Sequence, residues 1–178
     1  VIAPDEHVEC GVCSETGPAE LVAELATRKA AAVIAQVAAV PRYPGSYVLG
    51  ADTVAECDGF ILGKPRNEAE AAAMLRRLSG REHRVYSGVC LWPVAPSGQP
   101  CTSGKPDVRV AITRLRMDPL SDEQLGAYLA SGQWEGKAGA FGYQDRLGWV
   151  HILEGSESNV VGLPMELVEE MIRGAGGC

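Results

Sequence analysis

The chain has 178 residues, 16 Lys and Arg against 23 Asp and Glu, a formal charge of −7 and 46% hydrophobic residues. A chain of this length buries roughly 70% of its unfolded surface, enough for one core without disulfides or a structural metal, and its acidic balance argues against a broad footprint for a nucleic-acid polymer. The longest apolar stretch, Ala30 to Val40, is 11 residues and carries Gln36, well short of the roughly 18 that a membrane span needs, and no signal peptide is read.

In chain order, Thr16-Gly17-Pro18-Ala19-Glu20 reads as a helix start, with Pro early and Glu in the first turn, and the helix runs to about Val40 before Pro41 and Pro44-Gly45. Val22, Leu25, Ala26 and Val33 recur at helical steps, and their stripe also contains Lys29. That lysine either lays its stem on apolar surface with the ammonium in water or aims a cation into a cleft. Tyr47 to Thr53 reads as a buried strand ending in a polar pair, so Asp52 is expected at the mouth of a sheet, where ligands bind in open α/β folds. Val54 to Cys57 and Phe60 to Leu62 flank Asp58-Gly59, a dipeptide suited to a two-residue type I′ turn. Asn67-Glu68-Ala69-Glu70 resembles a capping box for a helix through Leu78, closed by Ser79-Gly80.

His83 to Ala95 and Asp107 to Met117 read as two long antiparallel strands joined by the Pro/Ser/Gly segment 96–106. Ser121-Asp122-Glu123-Gln124 signals a helix ending near Ser131-Gly132. Lys137 to Arg146 is glycine-rich, Leu147 to Leu153 is a strand, and Met165 to Arg173 a last amphipathic helix. The pattern predicts a single α/β domain over residues 1–178, with a long twisted mixed sheet flanked by helices. Cys10, Cys13, Cys57, Cys90, Cys101 and Cys178 are spread along a chain that does not need them as staples, which fits free thiols in the cytoplasm. Cys10-Gly-Val-Cys13 has the spacing of half a zinc site but no partner pair at a matching distance. His7, His83 and His151 are isolated and read as structural or surface residues.

Three polar clusters interrupt the apolar pattern: Asp52-Thr53, Gly63-Lys64-Pro65 and Lys137-Ala138-Gly139-Ala140-Phe141-Gly142-Tyr143-Gln144. Each alone reads more readily as a plain turn or loop, and no Walker A or dinucleotide fingerprint competes with them. Together with Ala26-Thr27-Arg28-Lys29-Ala30, Val48-Leu49-Gly50-Ala51-Asp52-Thr53, Asp58-Gly59-Phe60-Ile61-Leu62-Gly63-Lys64-Pro65, Met74-Leu75-Arg76-Arg77-Leu78-Ser79-Gly80-Arg81 and Asn159-Val160-Val161-Gly162-Leu163-Pro164, they make a chain that resembles the Maf family of nucleoside triphosphate pyrophosphatases from end to end.

The resemblance implies a Maf/inosine-triphosphatase-like fold. It implies hydrolysis between the α and β phosphates of a nucleoside triphosphate, with Mg²⁺, Mn²⁺ or Co²⁺ as cofactor. By the same resemblance Asp52 is the general base and a metal ligand, Lys29 and Lys64 contact phosphate, Lys137 belongs to the same cleft, and Glu9 or Glu6 supplies a further acidic residue. Attack at phosphorus needs a polarised water and a neutralised triphosphate, which such a set provides. Gly50-Ala51-Asp52-Thr53 with Gln144 resembles the branch acting on dTTP and UTP, whereas Gly-Ser-Asp-Gln with Glu marks the branch acting on 7-methyl-GTP. An amide both donates to and accepts from the imide edge of thymine or uracil, while a carboxylate only accepts.

The expected partner is therefore dTTP or UTP, and, as family members often dimerise, a second copy of the chain. The family's Ser-x-Ser-Pro-Arg-Arg loop, thought to hold the triphosphate, has no counterpart before Val1-Ile2-Ala3-Pro4, so the chain as given is expected to be a weak enzyme. The alternatives are a non-catalytic nucleotide-binding regulator of cell division and a 7-methyl-GTP pyrophosphatase.

Overall fold

The computed structural model describes residues 17–37, 46–94 and 105–175. The expectations for Glu6, Glu9, His7, the Cys10 and Cys13 pair, Cys101, Cys178 and most of segment 96–106 lie outside these residues. The described elements run α1 (Pro18–Val37), β1 (Tyr47–Cys57), β2 (Phe60–Leu62), α2 (Glu68–Leu78), β3 (Glu82–Pro93), β4 (Asp107–Met117), α3 (Asp122–Ala130), β5 (Val150–Glu154), α4 (Glu157–Val161) and α5 (Met165–Ala175). The five strands form one sheet in the order β2-β1-β3-β4-β5.

The sequence predicts a mixed sheet, but every adjacent pair of described strands runs antiparallel. β1 pairs with β2 that way, as β4 does with β5. Val94 N–H donates to Ser46 O at 2.8 Å, placing the end of β3 beside the start of β1, and Met117 N–H donates to Arg81 O at 3.0 Å, placing the end of β4 beside the start of β3. The reason lies in the connections: β2 turns back on β1 through a hairpin, and α2 then carries the chain over to β3 on the other side of β1. The parallel relation of β2 and β3, which a helical crossover requires, is thus kept with β1 between them.

Local chemistry accounts for the ends. Asp58 (φ 52°) and Gly59 (φ 80°) both take the positive φ of the type I′ hairpin turn. Asn67 Oδ1 accepts from Glu70 N–H at 2.9 Å, while Glu70 turns its own carboxylate to Arg66 N–H at 2.9 Å, so the box expected there is capped on one side only. At α3 the box is complete: Gln124 N–H donates to Ser121 Oγ at 3.1 Å and Ser121 N–H to Gln124 Oε1 at 2.9 Å. β5 starts at Val150 rather than Leu147, because Arg146 (φ 53°) and Gly148 (φ 75°) hold a turn there.

The chain divides into two compact units, one made of residues up to Asp52 with Ser87–Ala111 and Met165 onward, the other of Thr53–Tyr86 and Ile112–Pro164. In the first, Ala26, Ala30 and Ile34 of α1 pack with Val48, Cys90 and Val94 of the strands and their flank. This approach is close: a Cβ on Gly88 would lie 2.1 Å from Val22 O, and one on Gly50 2.4 Å from Ala26 O. Glycine at both strand positions is what lets the backbone of α1 lie on the sheet. In the second unit, one cluster joins Cys57, Leu78, Val85, Leu115 and Met117, and another joins α2 and α3 through Leu75, Leu125 and Tyr128.

Cys57 and Cys90 are free, buried thiols; burial pushes both up, Cys90 to about 11, as expected of unreactive core cysteines. His151 is exposed and contacts Asp118 at 2.9 Å. His83 is buried, and burial holds its pKa below the ordinary imidazole range. The unfolded chain therefore takes up a proton that the native ring resists, so this group's contribution to stability is lost as pH falls from about 6.5 toward the lower native value. In urea unfolding at about pH 7.5 and about pH 5.5, His83→Gln is expected to lose less stability than the parent; an equal loss contradicts this account.

Candidate active site

The expected strand end at Thr53 is overturned: β1 continues through Cys57, so Asp52 lies inside an 11-residue strand. Val54, Ala55 and Cys57 are buried in the second unit and extend the pairing past the polar pair, which is why the run does not stop where its polarity first rises. In the first unit Lys29 Nζ donates to Asp52 Oδ1 at 2.5 Å, with side-chain exposures of 16% and 15%. The ammonium of Lys29 thus meets a carboxylate rather than bulk water, which departs from the reading that left it in solvent.

The second unit holds the expected residues Thr53, Lys64, Lys137 and Gln144. Thr53 Oγ1 donates to Gly162 O at 3.2 Å, which ties the polar pair of β1 to the Asn159–Pro164 motif. Gly162, at φ 116°, closes α4, a five-residue helix capped by Ser156 that the sequence reading missed. Lys64 is exposed, and the residue before it, Gly63, accepts a hydrogen bond from Gly139 N–H at 3.0 Å. The Gly63-Lys64-Pro65 turn and the glycine-rich segment are therefore neighbours. Gly139 takes φ 69°, and a Cβ there would sit 3.2 Å from that of Ala55, so the segment lies close against β1.

Gln144 lines a cleft of about 580 Å³ with Phe141, Tyr143, Arg146 and Glu157. It sits in a 3-10 turn, Tyr143–Asp145, that ends at Arg146. Lys137 does not extend into open space: its Nζ lies 2.5 and 2.6 Å from the two oxygens of Asp145. Asp145 also accepts from Tyr128 OH at 2.7 Å, and burial together with this carboxylate pushes the phenol well above its ordinary range. Sequence reasoning overlooked Asp145. Its signal was an acid within a glycine-rich run that otherwise carries basic and amide groups.

Among the described residues no three of His, Cys, Asp and Glu gather into a ready-made cage for a cation. The metal ligand expected there, Asp52, offers a hard carboxylate oxygen beyond the one that meets Lys29. Mg²⁺ is ordinarily held by one or two carboxylates together with substrate phosphates and water, so this donor set fits a cation that arrives on a triphosphate. Glu9 and Glu6 lie outside the described residues. No described helix is long and apolar enough to cross a membrane.

Residues 2–175 match the family described as Maf-like protein. The chain is 49% identical over 168 residues to the dTTP/UTP pyrophosphatase of Rhodopirellula baltica, covering 94% of this chain and 68% of that protein. It is 42% identical over 160 residues to the dTTP/UTP pyrophosphatase of Agrobacterium fabrum, covering 89% and 73%. A Geobacillus protein of the same description is 40% identical over 171 residues, covering 96% and 84%.

Proposed function

The chain belongs to the Maf family, and we propose that it is a hydrolase that cleaves dTTP and UTP to the monophosphate and pyrophosphate. The observation that carries the reading is the contact of Lys29 with Asp52 at 2.5 Å, which puts a cation and a carboxylate at one point, as water attack on a phosphate requires. The relatives named dTTP/UTP pyrophosphatase, at 40–49% identity, support the same activity.

In this reading Asp52 takes the proton of the attacking water while Lys29 and Lys64 offset charge on the phosphates. Asp52 would also hold the divalent cation, Mg²⁺, Mn²⁺ or Co²⁺, which when bound neutralises the triphosphate. Thr53 and Glu9 belong to the substrate-binding set, Lys137 serves it from the glycine-rich segment, and Gln144 reads the base. A carboxamide in the Gln144 cleft matches the imide edge of thymine and uracil, which favours these bases over 7-methylguanine. Residues 1–178 form one Maf-like domain, acting in the cytoplasm and as a homodimer; the buried free thiols Cys57 and Cys90 suit a reducing compartment.

The test is pyrophosphate release from dTTP, UTP, CTP, GTP and 7-methyl-GTP. It uses the natural protein in which this sequence occurs, with any residues that precede or follow it. Release is expected to be fastest with dTTP and UTP. Preference for 7-methyl-GTP overturns the substrate assignment, and nucleotide binding without release from any of the five points to the regulator instead.

A further inference from the structure

Where Lys29 meets a single oxygen of Asp52, the ammonium of Lys137 is held by both oxygens of Asp145, whose side chain is only 9% exposed. Asp145 is in turn fixed by Tyr128, itself 4% exposed and packed at ring-centroid distances of 5.7 Å from both Phe141 and Trp149. Gly142 completes the arrangement: a Cβ there would lie 2.7–2.9 Å from Nζ, Cε and Cδ of Lys137, so the lysine stem crosses the backbone where no side chain stands.

The consequence falls on Gln144, which precedes Asp145 in the same three-residue turn. Successive side chains in a 3-10 turn point about 120° apart. Holding Asp145 inward on Lys137 and Tyr128 therefore fixes where the neighbouring amide is presented. That matters because a glutamine amide free to rotate by half a turn serves uracil and cytosine equally, presenting its oxygen to N3–H of the one or its NH₂ to N3 of the other. Discrimination between them needs the amide seated in one place against the cleft wall, where its surroundings set its orientation, and a fixed turn is what seats it there.

We propose that Lys137, Asp145 and Tyr128 form a clamp that fixes the Gln144 turn, which makes Asp145 and Tyr128 positioning residues for the choice of thymine and uracil over cytosine. This rests on the dTTP/UTP reading above, with Lys137 acting through the turn rather than on phosphate. Asp145→Asn and Tyr128→Phe are each expected to lower the ratio of kcat/KM for dTTP over CTP by about tenfold, chiefly through a higher KM for dTTP. In a Gln144→Ala background the same substitutions lower the ratio no further. Inhibition by inorganic pyrophosphate stays as in the parent for both, and for Lys137→Met.

Tyr128→Phe keeps the packed ring and removes one hydroxyl, so it carries the test if Asp145→Asn does not fold. A parent protein that does not prefer dTTP over CTP overturns the substrate reading and this proposal with it. A parent preference that persists unchanged in a folded Tyr128→Phe or Asp145→Asn protein overturns the clamp alone. Weakened pyrophosphate inhibition in Lys137→Met with the ratio intact also overturns the clamp, and assigns that lysine to phosphate.

Discussion

Asp52→Asn is expected to lower dTTP turnover by about 10²- to 10⁴-fold, the usual contribution of a positioned general base, while leaving the fold intact. Asparagine keeps one oxygen where Lys29 Nζ now donates at 2.5 Å, so the geometry survives and the basicity does not. The loss should appear in kcat rather than in KM, since the water proton is transferred only in the transition state. Steady-state kinetics with dTTP, beside a melting curve, check both halves. Turnover within a few-fold of the parent contradicts the role given to Asp52.

The largest effect on stability is expected from Gly88→Ala. A methyl group there would stand 2.1 Å from Val22 O, 2.4 Å from Val22 C and 2.7 Å from Ala23 N, all backbone atoms of α1 that cannot rotate aside. Relief requires shifting the helix off β3 and opening the cluster of Ala26, Ala30, Ile34 and Cys90. The cost is expected to be roughly 3 kcal/mol or more, which lowers Tm by roughly 6–12 °C. Gly126→Ala is the matched control. It lies within α3 with nothing within 4 Å of the added carbon, so alanine there should stabilise by about 0.5–1 kcal/mol through helix propensity alone. Thermal unfolding of the two variants should move in opposite directions; a neutral Gly88→Ala contradicts the close packing of α1.

Much of the fold is legible in the sequence where the signal is local. Asp58-Gly59 marks its hairpin because only residues that accept positive φ suit that turn, and Ser121 with Gln124 marks α3 because both halves of the box are written within four residues. Lys29 stands out as a charge in an apolar stripe, and the structure gives it a carboxylate. What stays hidden depends on distant chain. The sheet direction follows from α2 crossing over β1, which no local pattern encodes. Asp52 reads as a strand end because polarity rises there, whereas β1 runs on to Cys57 through residues buried by their neighbours in the second unit.

Gly50 and Gly88 look like weak points of strands until the helix backbone against them is seen. The role of Asp145 is hidden for the same reason. Its partner Tyr128 sits 17 residues earlier on α3, and the acid by itself is one surface-like residue in a loop. The proposed site residues Asp52, Lys64 and Gln144 stand out through the order of the motif blocks rather than through any one spacing.

The most direct test of the central claim is turnover of dTTP in ¹⁸O-labelled water, read by ³¹P NMR and mass spectrometry of the products. Hydrolysis with attack at the α phosphorus predicts dTMP and pyrophosphate, with the label in dTMP. Label in the pyrophosphate would contradict the site of attack, and dTDP with orthophosphate would contradict the reaction itself.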